Sequence, residues 1–441
     1  MKLEDALKVV AHVKCILVEV LMLKRLLLVF VVLSVAVSTV GCSIFNDNSS
    51  EKDRSVNIYT RPKILNLNRG KLSTFPENNG YSPGTFQVDL RSYDLTGLDL
   101  KDKISSLLVS DFDNRTKWPY VLPKGFDPKK IIKYGKNPGL GINKLHNGGI
   151  DGSDVGVAII GGPILVDHVE YKKQLKLYKE LNFTSGSASV EGTAAASVLA
   201  GKSTGVSPGV DLYYVAIKPV SNDESSSAAE EGNKAYEIGS QVPTAIDWIL
   251  EFNEKLPKDN KIRVLCIQEE ITADDKNYSK ILVSMEKAID KGVFIVSTIS
   301  HKLYRNEVYF KGLGRDALSD PDTLSAYLPG KSWANSFYLF GRYLPSSNTL
   351  FLPSDSRCTA SPTGKKDFAF YSVNDWNLQL PYAAGLYAMA CQLKPSVTPE
   401  EFVERAVKNS DTMEIVNSAI NYKYKFKNIV CPLRLIEDFK Q

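Results

Sequence analysis

The chain has 441 residues, of which 43% are hydrophobic, so it can bury a large core and does not have the composition of a disordered protein. Its 54 Lys and Arg residues nearly balance 50 Asp and Glu residues, and no long basic run indicates nucleic-acid binding. Four histidines and six cysteines, none spaced as CxxC, give no support to a zinc site, and we expect no metal or other cofactor.

The N-terminus has the pattern of an export signal. Lys24 and Arg25 precede an apolar run over 26–37, and small residues then lead to Cys42. Charge, apolar core and small-residue region in this order are typical of a secretory signal. A transmembrane anchor is the alternative, but the run is shorter than the roughly 20 apolar residues needed to span a bilayer. We interpret residues 1–42 as a signal peptide, with Met22 as an alternative start.

The sequence Val40-Gly41-Cys42 resembles a bacterial lipoprotein box, with Thr39 where such boxes usually carry Leu. The resemblance implies a lipid on Cys42, which would anchor the exported protein at the outer face of the cytoplasmic membrane. Residues 43–58 are polar and are predicted to form a tether. Residues 59–146 mix Pro, Gly and Asn with short apolar pieces and are predicted to be an N-terminal extension.

A regular pattern begins near Asp151, where apolar runs alternate with segments of helical period. This alternation predicts an α/β fold built on a parallel sheet. Strands are predicted over 155–160, 212–217, 262–267 and 293–298, with a further pair near 337–340 and 350–352. Helices are predicted over 245–250 and 281–291, and 221–241 is predicted to be a surface loop or a polar helix entry.

Four segments of this region resemble the subtilase family of serine peptidases, whose triad runs Asp, His, Ser along the chain. They are VAIIGGPI at 157–164, EGTAAASVLAG at 191–201 with GVSPG at 205–209, DKGVFIV at 290–296, and NLQLPYAAG at 377–385. The resemblance covers 147–411 and implies a subtilisin-like, three-layer fold with a parallel sheet over 147–441. Details of 355–364 and 381–388 look closest to uncharacterised subtilase-like proteins of Gram-positive bacteria.

The resemblance places Gly161 at the position of the triad Asp, Glu191 at that of the His and Asn377 at that of the Ser. The mechanism requires a hydroxyl nucleophile, an imidazole base and a carboxylate that orients the imidazole. An amide is not a usable nucleophile, and glycine has no side chain. Glu191 could accept a proton but would have no hydroxyl to activate. The sequence therefore predicts a degenerate triad.

His301 follows Ser300 at the position where the family carries its oxyanion Asn. We interpret it as a polar strand-end residue that pairs with nearby backbone, rather than as a catalytic donor. Asn377 is predicted to cap the helix that follows it, and Glu191 is predicted to lie at a helix start, where the dipole favours negative charge. Such roles would let the scaffold persist without the catalytic site.

Three functions compete. The first is a pseudopeptidase, a peptide-binding or scaffold lipoprotein of the cell envelope, in which Gln268, Glu269 and Glu270 could favour basic peptides. The alternative is an active serine endopeptidase with relocated catalytic residues, for which Ser372 and His168 are the candidates. The third is an envelope assembly protein in which the ligand crevice expected at the carboxyl ends of the parallel strands plays no part. Each would act with a peptide, a protein or the membrane as partner, not with nucleic acid.

Overall fold

The computed structural model describes residues 56–67, 69–77, 88–218, 228–305, 307–340, 348–374, 376–417 and 420–441. The predicted signal peptide, the lipidation site Cys42 and most of the predicted tether lie outside these residues. No helix among the described residues is long and apolar enough to cross a membrane.

The described residues contain strands and helices whose bounds are as follows. The strands are β1 (Asn57–Ile58), β2 (Phe112–Asp113), β3 (Gly156–Gly161), β4 (Leu175–Glu180), β5 (Asp211–Ala216), β6 (Ile262–Ile267), β7 (Phe294–Val296), β8 (Tyr309–Arg315), β9 (Tyr327–Pro329), β10 (Thr349–Pro353), β11 (Arg357–Ala360), β12 (Phe368–Tyr371), β13 (Asp411–Asn417) and β14 (Tyr422–Ile429). The helices are α1 (Ile104–Leu108), α2 (Pro128–Lys136), α3 (Ile142–Asn147), α4 (Val190–Ala200), α5 (Ala228–Lys255), α6 (Tyr278–Asp290), α7 (Lys331–Phe340), α8 (Gln379–Leu393), α9 (Pro399–Lys408) and α10 (Pro432–Asp438).

The central sheet has six parallel strands in the order β1-β4-β5-β3-β6-β7. Every residue of β3 is buried, as expected for a strand covered on both faces. Because successive side chains of a strand point to opposite faces, Val157 and Ile159 pack with α4 and α8, whereas Ala158 and Ile160 pack with α5 and α6. The predicted three-layer α/β fold with a parallel sheet is confirmed.

The four core strands predicted from apolar runs are confirmed as β3, β5, β6 and β7, and the predicted strand over 350–352 lies within β10. The predicted strand over 337–340 is wrong, because these residues end α7. Phe337 is fully buried there, with its ring 4.8 Å from that of Tyr424 and 5.2 Å from that of Phe426. A short apolar run fits a buried helical turn as well as a strand.

Two smaller sheets flank the central one. A five-stranded sheet has the order β13-β14-β10-β8-β9, and a three-stranded antiparallel sheet has the order β11-β12-β2. Strand β2 belongs to the predicted N-terminal extension, and it pairs with β12 from the far end of the chain. Part of the extension is therefore built into the body of the protein. The short strand β1 falls within the predicted tether, and it pairs with β4 at one edge of the central sheet.

Candidate functional site

The predicted triad positions meet at the carboxyl edge of the central sheet, which we define as the ends of β3, β5, β6 and β7. Gly161 is the last residue of β3, and Glu191 lies in the first turn of α4. Asn377 lies two residues before α8 begins. In open parallel sheets this edge is where ligands bind.

The room for a triad carboxylate at Gly161 is occupied by other side chains. A Cβ added at Gly161 would lie 2.9 Å from the Tyr214 hydroxyl oxygen and 3.1 Å from the Gln268 Cβ. Tyr214 is fully buried, and its hydroxyl donates a 2.8 Å hydrogen bond to the Gly162 carbonyl oxygen. An Asp side chain at position 161 would require these groups to move, because its carboxylate would extend beyond the Cβ.

Gln268 contacts both the end of β3 and the segment before Asn377. Its backbone N–H donates to the Ile160 carbonyl at 2.9 Å, next to Gly161. Its side-chain amide donates to the carbonyl of Trp376, the residue before Asn377. Gln268, which the sequence analysis proposed as a binding residue, is only 5% exposed. It therefore acts as a structural link between two triad positions.

Asn377 does not cap α8, so the predicted capping role is wrong. Leu378 is the N-cap residue and makes no side-chain capping bond. Asn377 instead adopts a left-handed conformation with φ 52°, which Asn tolerates better than most residues. Its side-chain oxygen accepts a 3.2 Å hydrogen bond from the Gln379 amide. The residue at the nucleophile position thus shapes the turn into α8.

Glu191 and Glu269 form a pair of carboxyl groups at the carboxyl edge. The α4 N-terminus is capped by Ser189, whose hydroxyl accepts a 3.0 Å hydrogen bond from the Gly192 N–H, so Glu191 lies in the first turn as predicted. Burial raises the pKa of Glu191. Burial, and secondarily the charge of Glu191, raises the pKa of Glu269 to about 7. Desolvation opposes ionisation of both carboxyl groups, and at Glu269 the charge of Glu191 opposes it further.

His301 lies in a short 3-10 turn over Ser300–Lys302, beyond the end of β7. Its ring stacks on that of Tyr309, with centroids 4.2 Å apart and an interplanar angle of 11°. In the described part of the chain the ring is held by this stack and not by the backbone pairing that the sequence suggested. Burial, followed by the charge of Lys302, lowers the pKa of His301.

A cavity of about 420 Å³ opens beside Asn377. We call it the His301 cavity, and its walls come from the segments after β6 and β7, from β8, and from the starts of α7 and α8. Glu270, His301 and Asn377, all identified from the sequence, line it. Glu191, Glu269 and Gln268 lie outside it. The cavity size falls within the usual range for ligand sites.

The candidates for a relocated triad are engaged elsewhere. The Ser372 hydroxyl donates a 2.6 Å hydrogen bond to the Val109 carbonyl, and Ser372 is 1% exposed. His168 is buried, with Nε2 2.9 Å from the Asp367 carbonyl and Nδ1 accepting from the Glu170 N–H. Neither side chain presents a reactive atom to the carboxyl edge.

Sequence reasoning missed Tyr214 and the walls of the His301 cavity other than Glu270, His301 and Asn377. Tyr214 lay inside a correctly predicted strand, but its contact with Gly161 depends on the pairing of β5 with β3. Within the described residues, no three His, Cys, Asp or Glu side chains are grouped closely enough to hold a metal.

No protein-family model and no curated protein matches the chain. Among solved structures, it is similar to the prenylagaramide maturation protease PagA, with 15% identity, 68% of this chain and 98% of the other covered, and a TM-score of 0.44. It is also similar to a chain of an intact ESX-5 inner membrane complex, with 12% identity, 71% of this chain and 80% of the other covered, and a TM-score of 0.46. A third similar structure is a cold adapted subtilisin-like serine proteinase, with 16% identity, 59% of this chain and 83% of the other covered, and a TM-score of 0.38. At these values we draw no conclusion about function from them.

Proposed function

We propose that this protein is a catalytically inactive subtilisin-like pseudopeptidase that binds a peptide or protein segment at its carboxyl edge. The observation that carries the proposal is the filled carboxylate space at Gly161, where Tyr214 and Gln268 occupy the room that a triad Asp would need. Without that carboxylate no imidazole would be oriented, and Asn377 supplies an amide where a nucleophilic hydroxyl is required. The His301 cavity beside Asn377 remains available for binding.

Hydrolysis is tested by incubating the purified protein with a fluorophosphonate probe and with labelled casein. We expect no covalent labelling of any serine and no cleavage above the buffer rate, because removing the nucleophile of a subtilisin lowers kcat by about 10⁶. An active subtilisin treated in parallel is the positive control. Labelling that disappears on denaturation would overturn the proposal.

Two variants test the alternative of an active peptidase with relocated catalytic residues. If activity is found, Ser372→Ala and His168→Ala identify its source, since the alternative requires both residues. Loss of activity in both variants, with unchanged circular dichroism, would establish an active peptidase. Their hydrogen bonds to Val109 and Asp367 give the alternative no support.

We further propose that the protein is exported and held at the outer face of the cytoplasmic membrane through a lipid on Cys42. The support is the sequence Val40-Gly41-Cys42 after an apolar run. Cys42→Ser should move the protein from the membrane fraction to the soluble fraction and abolish labelling with radioactive palmitate. Cys15→Ser, which alters a cysteine upstream of the apolar run, is the matched control. An unchanged distribution of the Cys42 variant would contradict lipid anchoring.

A further inference from the structure

The N-terminal extension carries a loop over residues 119–125 that is held on a buried base. Trp118 and Phe126 close the loop, with their ring centroids 5.1 Å apart. Both rings also contact the buried ring of Phe112 in β2, at 5.3 Å and 6.1 Å. The Phe126 N–H donates a 3.1 Å hydrogen bond to the Pro123 carbonyl. The loop is therefore fixed to the body of the protein through an aromatic cluster.

The tip of this loop presents two apolar side chains to solvent. Tyr120 is 103% exposed and Val121 is 55% exposed. At this exposure the Tyr120 ring packs on no other part of the described structure, so folding gains nothing from its burial. Tyrosine is enriched at membrane surfaces, because its ring is apolar and its hydroxyl group remains hydrated.

Cationic side chains lie beside the tip. Positions 115–134 contain six basic residues and one acid, Asp127, whose carboxylate caps α2 by accepting a 3.0 Å hydrogen bond from the Lys130 N–H. Lys124 belongs to the loop, and Lys129 and Lys133 lie four residues apart on the helix that follows, so they share one face. These three lysines are exposed, and within the described residues none of them forms an ion pair. Their charge is available to an anionic surface.

We propose that the 119–125 loop and the Lys129 and Lys133 face of α2 dock on a lipid bilayer that contains anionic lipids. Tyr120 and Val121 enter the headgroup region, and the lysines approach the lipid phosphates. Two tip side chains offer far less than the surface of about 800 Å² that a protein partner usually covers on each side. A bilayer surface requires no such complementary shape.

This inference rests on the proposed membrane anchoring and adds a second contact to it. The 14 residues from Cys42 to Val56 span at most about 3.6 Å each, so a lipid on Cys42 would keep the body within about 50 Å of the bilayer. Such tethering raises the effective concentration of the bilayer at the loop. Because the loop is fixed to the body, its docking would set which side of the body faces the membrane.

The test places the photocrosslinking residue p-benzoylphenylalanine in place of Tyr120 in the full chain, reconstituted in vesicles of equal parts phosphatidylcholine and phosphatidylglycerol. Illumination should join lipid to the loop, and trypsin, which cuts after Lys117 and Lys124, should release residues 118–124 with the added lipid mass. Vesicles of phosphatidylcholine alone should give about fivefold less product, because they lack the anionic headgroup. Raising the salt concentration should lower the yield in the mixed vesicles.

Variants locate the effect. The double variant Lys129→Gln, Lys133→Gln should lower the yield of lipid product about fivefold or more, because each lysine contributes to attraction by the anionic surface. Lys280→Gln, which alters an exposed lysine on α6, is the matched control and should change nothing. The same photocrosslinking residue in place of Val283, which is 64% exposed on α6, should capture far less lipid than at position 120. Circular dichroism verifies that each variant is folded.

The inference is overturned if position 120 captures no lipid, if neutral and mixed vesicles give equal yields, or if the double lysine variant matches the wild-type yield. Capture of a second copy of the chain in place of lipid would also overturn it and would identify a protein interface. The lipid on Cys42 is judged separately, by palmitate labelling and fractionation of Cys42→Ser, so a failure of the anchor is distinguishable from a failure of the loop contact.

Discussion

At the scale of single residues, we expect the Tyr214 hydroxyl to prevent the three obvious substitutions from restoring a triad. Gly161→Asp would bring a carboxylate against this hydroxyl and against Gln268. We expect the variant to be destabilised by about 1–3 kcal/mol in urea unfolding, as for other overpacked cores. The triple variant Gly161→Asp, Glu191→His, Asn377→Ser should remain inactive on casein.

A double-variant cycle isolates the role of the hydroxyl. Tyr214→Phe removes it and should by itself cost about 1 kcal/mol, because the hydrogen bond to Gly162 is lost. In the Tyr214→Phe background, Gly161→Asp should be less destabilising than in the wild-type protein. Equal costs in the two backgrounds would show that the hydroxyl is not what excludes the carboxylate.

The carboxyl pair makes stability depend on pH. The pKa of Glu269 is raised to about 7 in the folded protein, from an ordinary value of 4.5. Between these two values the unfolded chain binds fewer protons at this group than the folded protein, so the contribution of Glu269 to stability falls as pH rises.

Glu269→Gln removes this loss of stability. The wild-type protein should lose about 2 kcal/mol of unfolding free energy at Glu269 between pH 5 and pH 8, and the variant should not. Urea unfolding of both proteins at the two pH values measures this difference. Glu270→Gln, which alters the exposed neighbour, is the control and should show the wild-type loss. Parallel pH profiles for all three proteins would refute the raised pKa.

At the scale of elements, the extension is held by strand pairing and by an apolar cluster. Phe112 in β2 is fully buried and pairs with Phe370 of β12, with their ring centroids 5.4 Å apart. The Asp111 carboxyl accepts a 2.7 Å hydrogen bond from the Ser372 N–H. Burial raises the pKa of Asp111 to about 7.

Phe112→Ala should therefore destabilise the protein by about 3–5 kcal/mol, because a buried aromatic side chain is replaced by a cavity. Hydrogen exchange should accelerate in both β2 and β12, since the two strands share one hydrogen-bonded ladder. Tyr120→Ala removes an exposed aromatic ring from the same extension and should have little effect. Acceleration confined to β2 would indicate that β12 holds its structure without the extension.

The extension also shows where sequence reasoning stops. Its strand β2 has two residues, and its partner β12 lies far along the chain, so no local pattern could predict the pairing. In contrast, β3 is a continuous apolar run and β6 is apolar apart from Arg263, so their residue types predict that both strands are buried. For the run at 337–340 the sequence predicted the wrong backbone conformation, although Phe337 is buried as an apolar run implies.

At the scale of the whole molecule, the alternation of apolar runs and helical segments predicted the parallel sheet, whereas the positions of Gly161, Glu191 and Asn377 at its edge were implied only by the family resemblance. The absence of a hydroxyl at the predicted nucleophile position could be read from Asn377, because an amide side chain is not a usable nucleophile. The crowding around Gly161 could not be predicted from the sequence, because it depends on the Tyr214 side chain, which extends from the neighbouring strand β5. The ring stack at His301 similarly depends on the placement of β8.

The buried side chain of Arg357 connects the extension to the segment after α4 through hydrogen bonds. It is 2% exposed, and its guanidinium donates to the Thr204 carbonyl at 2.7 Å and to the Pro138 carbonyl at 3.4 Å. Burial lowers the pKa of Arg357 to about 10. One side chain from β11 thus contacts both the extension and the turn after α4.

The cluster shared by the extension and β12 bears on which pieces of the protein can be produced alone. Fragment 147–441, the boundary that the sequence suggests, would expose Phe370 and Cys358 and would remove β2, one of the two strands that pair with β12. Such a fragment would be prone to self-association through its uncovered edge and apolar surface. We therefore expect a fragment that starts at Val56 to remain monomeric in size-exclusion chromatography and one that starts at residue 147 to associate.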